Sequence, residues 1–128
     1  MRDYDRGVTT YGEYPKIDEL LKLQDPRSEP EEHDEMLFIV IHQVYELWFK
    51  QILHELDRLV DHLNGDALAR GGHQLRRVRH IFKTMVGQID ILETMTPLEF
   101  LSFRRFLDES SGFQSVQFRE LECLLGVT

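Results

Sequence analysis

A chain of 128 residues, 41% hydrophobic and 30% charged, is long enough to bury one modest core. Its net charge of −8 at pH 7 excludes a general nucleic-acid binder, which needs an electropositive face. The longest apolar run, residues 36–41, is far too short to cross a bilayer, and residues 1–10 carry no apolar stretch of the secretory kind. The single cysteine, Cys123, cannot form an internal disulfide, which suits a reducing cytoplasm. Its place late in an apolar run predicts a small core residue.

The spacing is helical almost throughout. Ile17, Leu20 and Leu21 predict a short helix over residues 16–23, stopped by Asp25-Pro26. A polar loop with Pro26 and Pro30 follows. A long helix is predicted over residues 31–64, because Leu37, Ile41, Val44, Trp48, Ile52, Leu56, Leu59 and Leu63 recur every three or four positions. Glu31, Glu32, Asp34 and Glu35 crowd its first turns, where negative charge suits the helix dipole. Asn64-Gly65 supplies its stop.

A third helix is predicted over residues 66–94, with Leu75, Val78, Phe82, Met85, Ile89 and Leu92 as its stripe. Gly71-Gly72 predicts a bent or frayed start. Its basic residues, Arg70, Arg76, Arg77, Arg79 and Lys83, spread around the circumference and read as a solvated face. The fourth helix starts at a capping box, with Thr96 as N-cap, Pro97 at N1 and Glu99 at N3, and runs to residue 107. Ser110, Ser111 and Gly112 form a turn, and a fifth helix spans residues 115–125 with Gly126 just past its end. The fold class is all-α, a bundle of long antiparallel helices forming a single helical domain over residues 1–128. Residues 1–15 form an N-terminal arm and residues 16–126 the helical region. Phe38, Val40, Leu47, Phe49 and Leu53 lie off the main stripe of the second helix, so more protein is needed to cover that extra face.

Few residues carry chemistry by pattern alone. Phe38 and His42 are four apart and share a helical face, so an imidazole stands beside an aromatic ring. That pair suits a planar ligand with a hydrogen-bond donor; the plainer reading is a core histidine with its needs met. Arg104 lies among Phe100, Phe103 and Phe106. It is either a two-pronged clamp for a carboxylate or a surface arginine whose stem covers ring faces. The loop 110–115 either wraps a ligand or simply turns the chain, with Ser115 as the next cap. There is no HExxH motif, no Cys/His set and no Gly-rich phosphate loop.

Together, several strings resemble one family. They are Thr10-Tyr11-Gly12-Glu13-Tyr14, Ile17-Asp18-Glu19-Leu20-Leu21, Ser28-Glu29-Pro30, and the run from His33 to Gln43 that reads HDEMLFIVIHQ. Glu46-Leu47-Trp48-Phe49-Lys50, Phe103-Arg104, Ser110-Ser111-Gly112-Phe113-Gln114-Ser115, Gln117-Phe118-Arg119 and Glu122 complete the set. The chain is similar, from about Thr9 to Gly126, to the tryptophan 2,3-dioxygenases. The resemblance implies the N-terminal, substrate-binding part of the haem dioxygenase fold, in a cytoplasmic homotetramer containing haem b. It implies conversion of L-tryptophan and O2 to N-formyl-L-kynurenine, the first step of tryptophan catabolism by the kynurenine pathway.

The resemblance also implies residue roles. His42 matches the distal histidine that lies over the haem and bonds the indole N–H. Phe38 packs against the indole, and Arg104 clamps the substrate carboxylate. Ile39, Val40 and Ile41 line the pocket. Phe100 stands at a wall position that is Tyr in some relatives. Tyr11 reaches into a neighbouring subunit's site, and Ser111 and Gly112 lie near the haem edge. The chain is truncated relative to the family, whose proximal haem-ligating histidine lies on helices beyond it. None of His54, His62, His73 and His80 matches that position, so no metal ligand is assigned here. The alternative implied by that gap is an inactive helical fragment or an assembly module lacking the proximal ligand.

Overall fold

A computed structural model describes residues 10–107 and 114–126. Among them are five helices and no strand: α1 (Ile17–Leu20), α2 (Glu35–Asn64), α3 (Leu68–Leu92), α4 (Pro97–Arg104) and α5 (Val116–Leu124). The expected all-α class is what folds. Helix α2 has 30 residues; at about 1.5 Å rise per residue it is roughly 45 Å long.

The short link Gly65–Ala67 returns the chain antiparallel to α2. The cross-contacts give the direction. The Tyr45 hydroxyl donates to the Met85 carbonyl at 2.7 Å, Glu55 meets Arg77 at 3.1 Å, and Leu59 lies against Gly71. Positions rise on α2 as they fall on α3. Phe49, Ile52 and Leu56 of α2 close on Val78, Ile81 and Met85 of α3, and Leu121 of α5 completes this core. Burying each such side chain contributes about 1.5–3 kcal/mol.

The α2–α3 seam also contains a carboxylate. Glu55 is 4% exposed and accepts from Gln51, Gln74 and Arg77. Burial pushes its carboxyl up, but these three donors outweigh that and hold it below its ordinary value. The basic residues of α3 are otherwise exposed, as a solvated face requires.

Helix ends depart from the sequence reading where side chains find distant partners. Helix α2 begins at Glu35, four residues later than predicted. Glu35 is 1% exposed and does not serve its own helix; it accepts from the Arg27 and Ser28 backbone N–H groups and the Ser28 hydroxyl at 2.6–2.9 Å. The loop before α2 is thereby folded onto its first turn. The tie is extended by Gln43, which donates to the Leu23 carbonyl and accepts from Gln24, both at 2.8 Å.

Helix α1 is a single turn, and α4 ends at Arg104, not residue 107. The left-handed residue after α2 is Asp66, with φ 60°, while Gly65 has φ −98°. Gly71 does not fray α3. It is buried inside the helix, where an added Cβ would meet Leu59 Cδ1 at 3.0 Å, so the bare backbone permits close approach of α2. Cys123 is exposed and not a core residue. It lies two positions past Leu121, which takes the inward direction at that end of α5. Gly126, with φ 75°, ends α5 as expected.

Candidate active site

The first turns of α2 present Phe38 and His42 on one face, and α4 is laid across them. The Phe38 and His42 rings have centroids 4.4 Å apart. Phe38 also meets Phe100 at 5.8 Å and Phe103 at 5.7 Å, and those two meet edge-on at 5.5 Å. Edge and offset contacts of this kind favour aromatic rings beyond the area they bury. Phe103 is fully buried, while Phe38, His42 and Phe100 are half-buried.

Local chemistry fixes α4 in that position. The Thr96 hydroxyl accepts from the Glu99 N–H, and Glu99 accepts from the Thr96 N–H at 2.8 Å. The capping box read from the sequence is therefore present. The Thr96 donors also hold the Glu99 carboxyl below its ordinary value. One turn past His42, α5 is pinned to α2 by Gln117, which donates to the Glu46 carbonyl and carboxylate at 2.8 and 3.0 Å. Ser115 caps α5 by accepting from Phe118 N–H.

His42 Nδ1 lies 2.8 Å from the Phe38 carbonyl oxygen. A carbonyl can only accept, so the proton sits on Nδ1. In the neutral ring Nε2 then offers a lone pair to an incoming donor.

Arg104 is one turn beyond Phe100 on the same face of α4, with its side chain exposed. Its neighbour Arg105 has its guanidinium 4.9 Å from the centre of the Phe106 ring.

The segment Ile39–Ile41 does not act as one wall. Successive helical residues turn by about 100°. Ile39 is half-buried, Val40 is 37% exposed on the far side from His42, and Ile41, 7% exposed, joins the interior. Tyr11 is 82% exposed in the turn before α1 and makes no ring contact with this cluster. Ser111 and Gly112 lie outside the described residues. Among the described residues no group of three or more His, Cys, Asp or Glu side chains is placed to hold a metal ion. Nor is any helix of theirs long and apolar enough to cross a membrane.

The class so defined is an all-helical protein with a cluster of aromatic rings, one imidazole packed against it and one exposed arginine a turn further along α4. The chain belongs to the tryptophan 2,3-dioxygenase family, whose family model matches residues 1–128. Relatives named tryptophan 2,3-dioxygenase include one from Herpetosiphon aurantiacus, 62% identical over 117 residues. That match covers 91% of this chain and 45% of the relative. One from Anaeromyxobacter sp. strain K is 58% identical, covering 94% of this chain and 44% of the relative. One from Nocardioides sp. is 57% identical, covering 91% and 45%. The chain spans less than half the length of these relatives.

Proposed function

We propose that this chain supplies the substrate-recognition half of a haem-dependent tryptophan 2,3-dioxygenase. The reaction adds both atoms of O2 across the C2–C3 bond of the indole of L-tryptophan, giving N-formyl-L-kynurenine. The observation that carries the proposal is the hydrogen bond from His42 Nδ1 to the Phe38 carbonyl, because it leaves Nε2 of the neutral ring as an acceptor on an imidazole packed against aromatic rings. An indole has a flat apolar body and one N–H donor. Phe38 and Phe100 match the body, and His42 Nε2 matches the donor. Arg104, one turn along α4 from Phe100, is the group to pair with the amino-acid carboxylate by two parallel hydrogen bonds.

The half-buried aromatic cluster fits the substrate side of a haem b, because a planar apolar macrocycle needs a wall of this kind. Phe38, His42 and Phe100 would face it, with Ser111 and Gly112 at its edge by family resemblance. When bound, the haem activates O2. The chain's own residues orient the indole, exclude water from its face, and hold its N–H proton against His42 Nε2. The axial ligand belongs to the part of the family architecture beyond this chain. Tyr11, exposed on the arm, supports a homotetramer in which each arm completes a neighbour's site. A single cysteine and the absence of a long apolar helix among the described residues suit a cytoplasmic location.

The test is spectroscopic. Haem is added to the purified chain, alone and with the remaining segment of a relative, and the Soret band is recorded with and without L-tryptophan. A band that shifts with L-tryptophan is the expected result. Haem uptake without any response to L-tryptophan would overturn the substrate assignment. No uptake in either preparation would leave an assembly module in its place.

A further inference from the structure

The turn of α2 that makes His42 an acceptor is not held by α2 alone. The first N–H groups of any α-helix have no partner within it, so its first turn frays unless something caps it. Asp34 stands at the capping position before Glu35, and its side chain makes no capping hydrogen bond. The turn is held from the preceding loop instead. Glu35 is buried and accepts from the Arg27 and Ser28 N–H groups at 2.8 and 2.9 Å and from the Ser28 hydroxyl at 2.6 Å. The same hydroxyl accepts from the Glu32 N–H at 2.9 Å, so the buried Ser28 ties the loop both to itself and to the helix. A second attachment lies at Gln43, which donates to the Leu23 carbonyl and accepts from Gln24. Gln24 also donates to the Leu20 carbonyl of α1. The two attachments bracket the turn from Phe38 to His42, Glu35 before it and Gln43 directly after it.

We propose that Glu35, clasped by Ser28, is a positioning residue that sets the tautomer of His42. The Phe38 carbonyl that receives the Nδ1 proton belongs to the first turn of α2. Where that turn is wound, the carbonyl stands one turn before the imidazole and keeps the proton on Nδ1. Where it frays, the imidazole loses this acceptor, and the proton passes to Nε2, the nitrogen that carries it in most neutral histidine in water. Nε2 then donates, and an indole N–H meets it as one donor against another. A carboxylate suits the clasp because three donors converge on its two oxygens. An amide of the same shape would turn an N–H toward one of them. The inference rests on the proposed function, in which His42 Nε2 accepts from the substrate.

Nitrogen-15 labelling of the histidine rings tests this in the chain without haem, because the two neutral tautomers differ in their Nδ1 and Nε2 shifts. His42 is assigned among the 6 histidines by its absence from the spectrum of His42→Gln. The wild type should carry the proton on Nδ1. Glu35→Gln and Ser28→Ala should each move the tautomer ratio toward Nε2–H by roughly tenfold, the worth of one hydrogen bond to a charged group. The two variants reach one contact from opposite sides, so either alone carries the test. Glu55→Gln alters a buried carboxylate in the α2–α3 seam and should leave the ratio unchanged. In the complete haem-loaded assembly, Glu35→Gln and Ser28→Ala should weaken L-tryptophan and bare indole by the same factor, since both ligands present the N–H. A wild-type Nδ1 proton that survives in either folded variant overturns the positioning role and leaves the proposed function standing. An equal change in Glu55→Gln overturns it as well, because general loosening would then move the proton. Weakening confined to L-tryptophan would also overturn it. A wild-type proton already on Nε2 overturns the proposed function and the duty of Glu35 together.

Discussion

A proton on His42 Nδ1 is held by the carbonyl one turn back, and this single contact leaves Nε2 of the neutral imidazole as its acceptor. The pairing of Phe38 with His42 is legible in the sequence because four-residue spacing on a helix forces it. The rings that close around them are not, because Phe100 and Phe103 arrive from more than fifty residues away. Glu35 and Glu55 were equally hidden: an acidic residue in a helical run reads as solvated until its donors are known. Both carboxyls are driven up by burial and brought below their ordinary value of 4.5 by hydrogen bonds. A carboxyl depressed in the folded chain favours folding when ionised. That contribution is fully present above about pH 4.5 and is lost as pH falls through the lower folded-state values. Urea unfolding should therefore show stability falling steadily below pH 4.5 in the wild type, and a shallower fall in Glu55→Gln. Identical acid profiles for the two would contradict this role for Glu55.

At the scale of the helix, local signals located the starts of α4 and α5 correctly, because a capping box and a serine cap act within three residues. They misplaced the start of α2, because the Glu35 carboxylate is satisfied by a loop seven and eight residues earlier. Removing the cap with Thr96→Ala should cost about 1 kcal/mol. Amide exchange of α4 should quicken before that of α2, since α4 is held by the box and by Phe100 and Phe103. Exchange that quickens uniformly along the chain would count against that order. Two of the three glycines of α3, Gly71 and Gly87, separate conformational entropy from packing. Gly87 has open space around it, so Gly87→Ala should stabilise the chain by about 0.5–1 kcal/mol. At Gly71 the same methyl group meets Leu59 at 3.0 Å, so Gly71→Ala should give a smaller gain or a loss in thermal unfolding. Equal gains at both positions would show that the close approach of α2 and α3 at Gly71 is not required.

For the whole molecule, the all-helical class followed from periodicity, and the excess of apolar faces followed from residues such as Leu47 that fit no single stripe. Which face meets which partner was beyond the sequence, because that depends on how long helices are turned about their axes. The described residues leave Leu98, Leu101, Val86 and Leu47 exposed. Such surface is expected of a chain that spans less than half the length of the relatives it matches. Under the proposed function, Arg104 makes the site discriminate an indole amino acid from a bare indole. The direct measurement is the affinity of the complete haem-loaded assembly for L-tryptophan and for indole, in the wild type and in Arg104→Ala. A charge-assisted hydrogen bond contributes about 1.5–3 kcal/mol, so the variant should lose roughly tenfold to a hundredfold in L-tryptophan affinity. Its affinity for indole should stay unchanged. An undiminished preference for L-tryptophan over indole in Arg104→Ala would contradict the account.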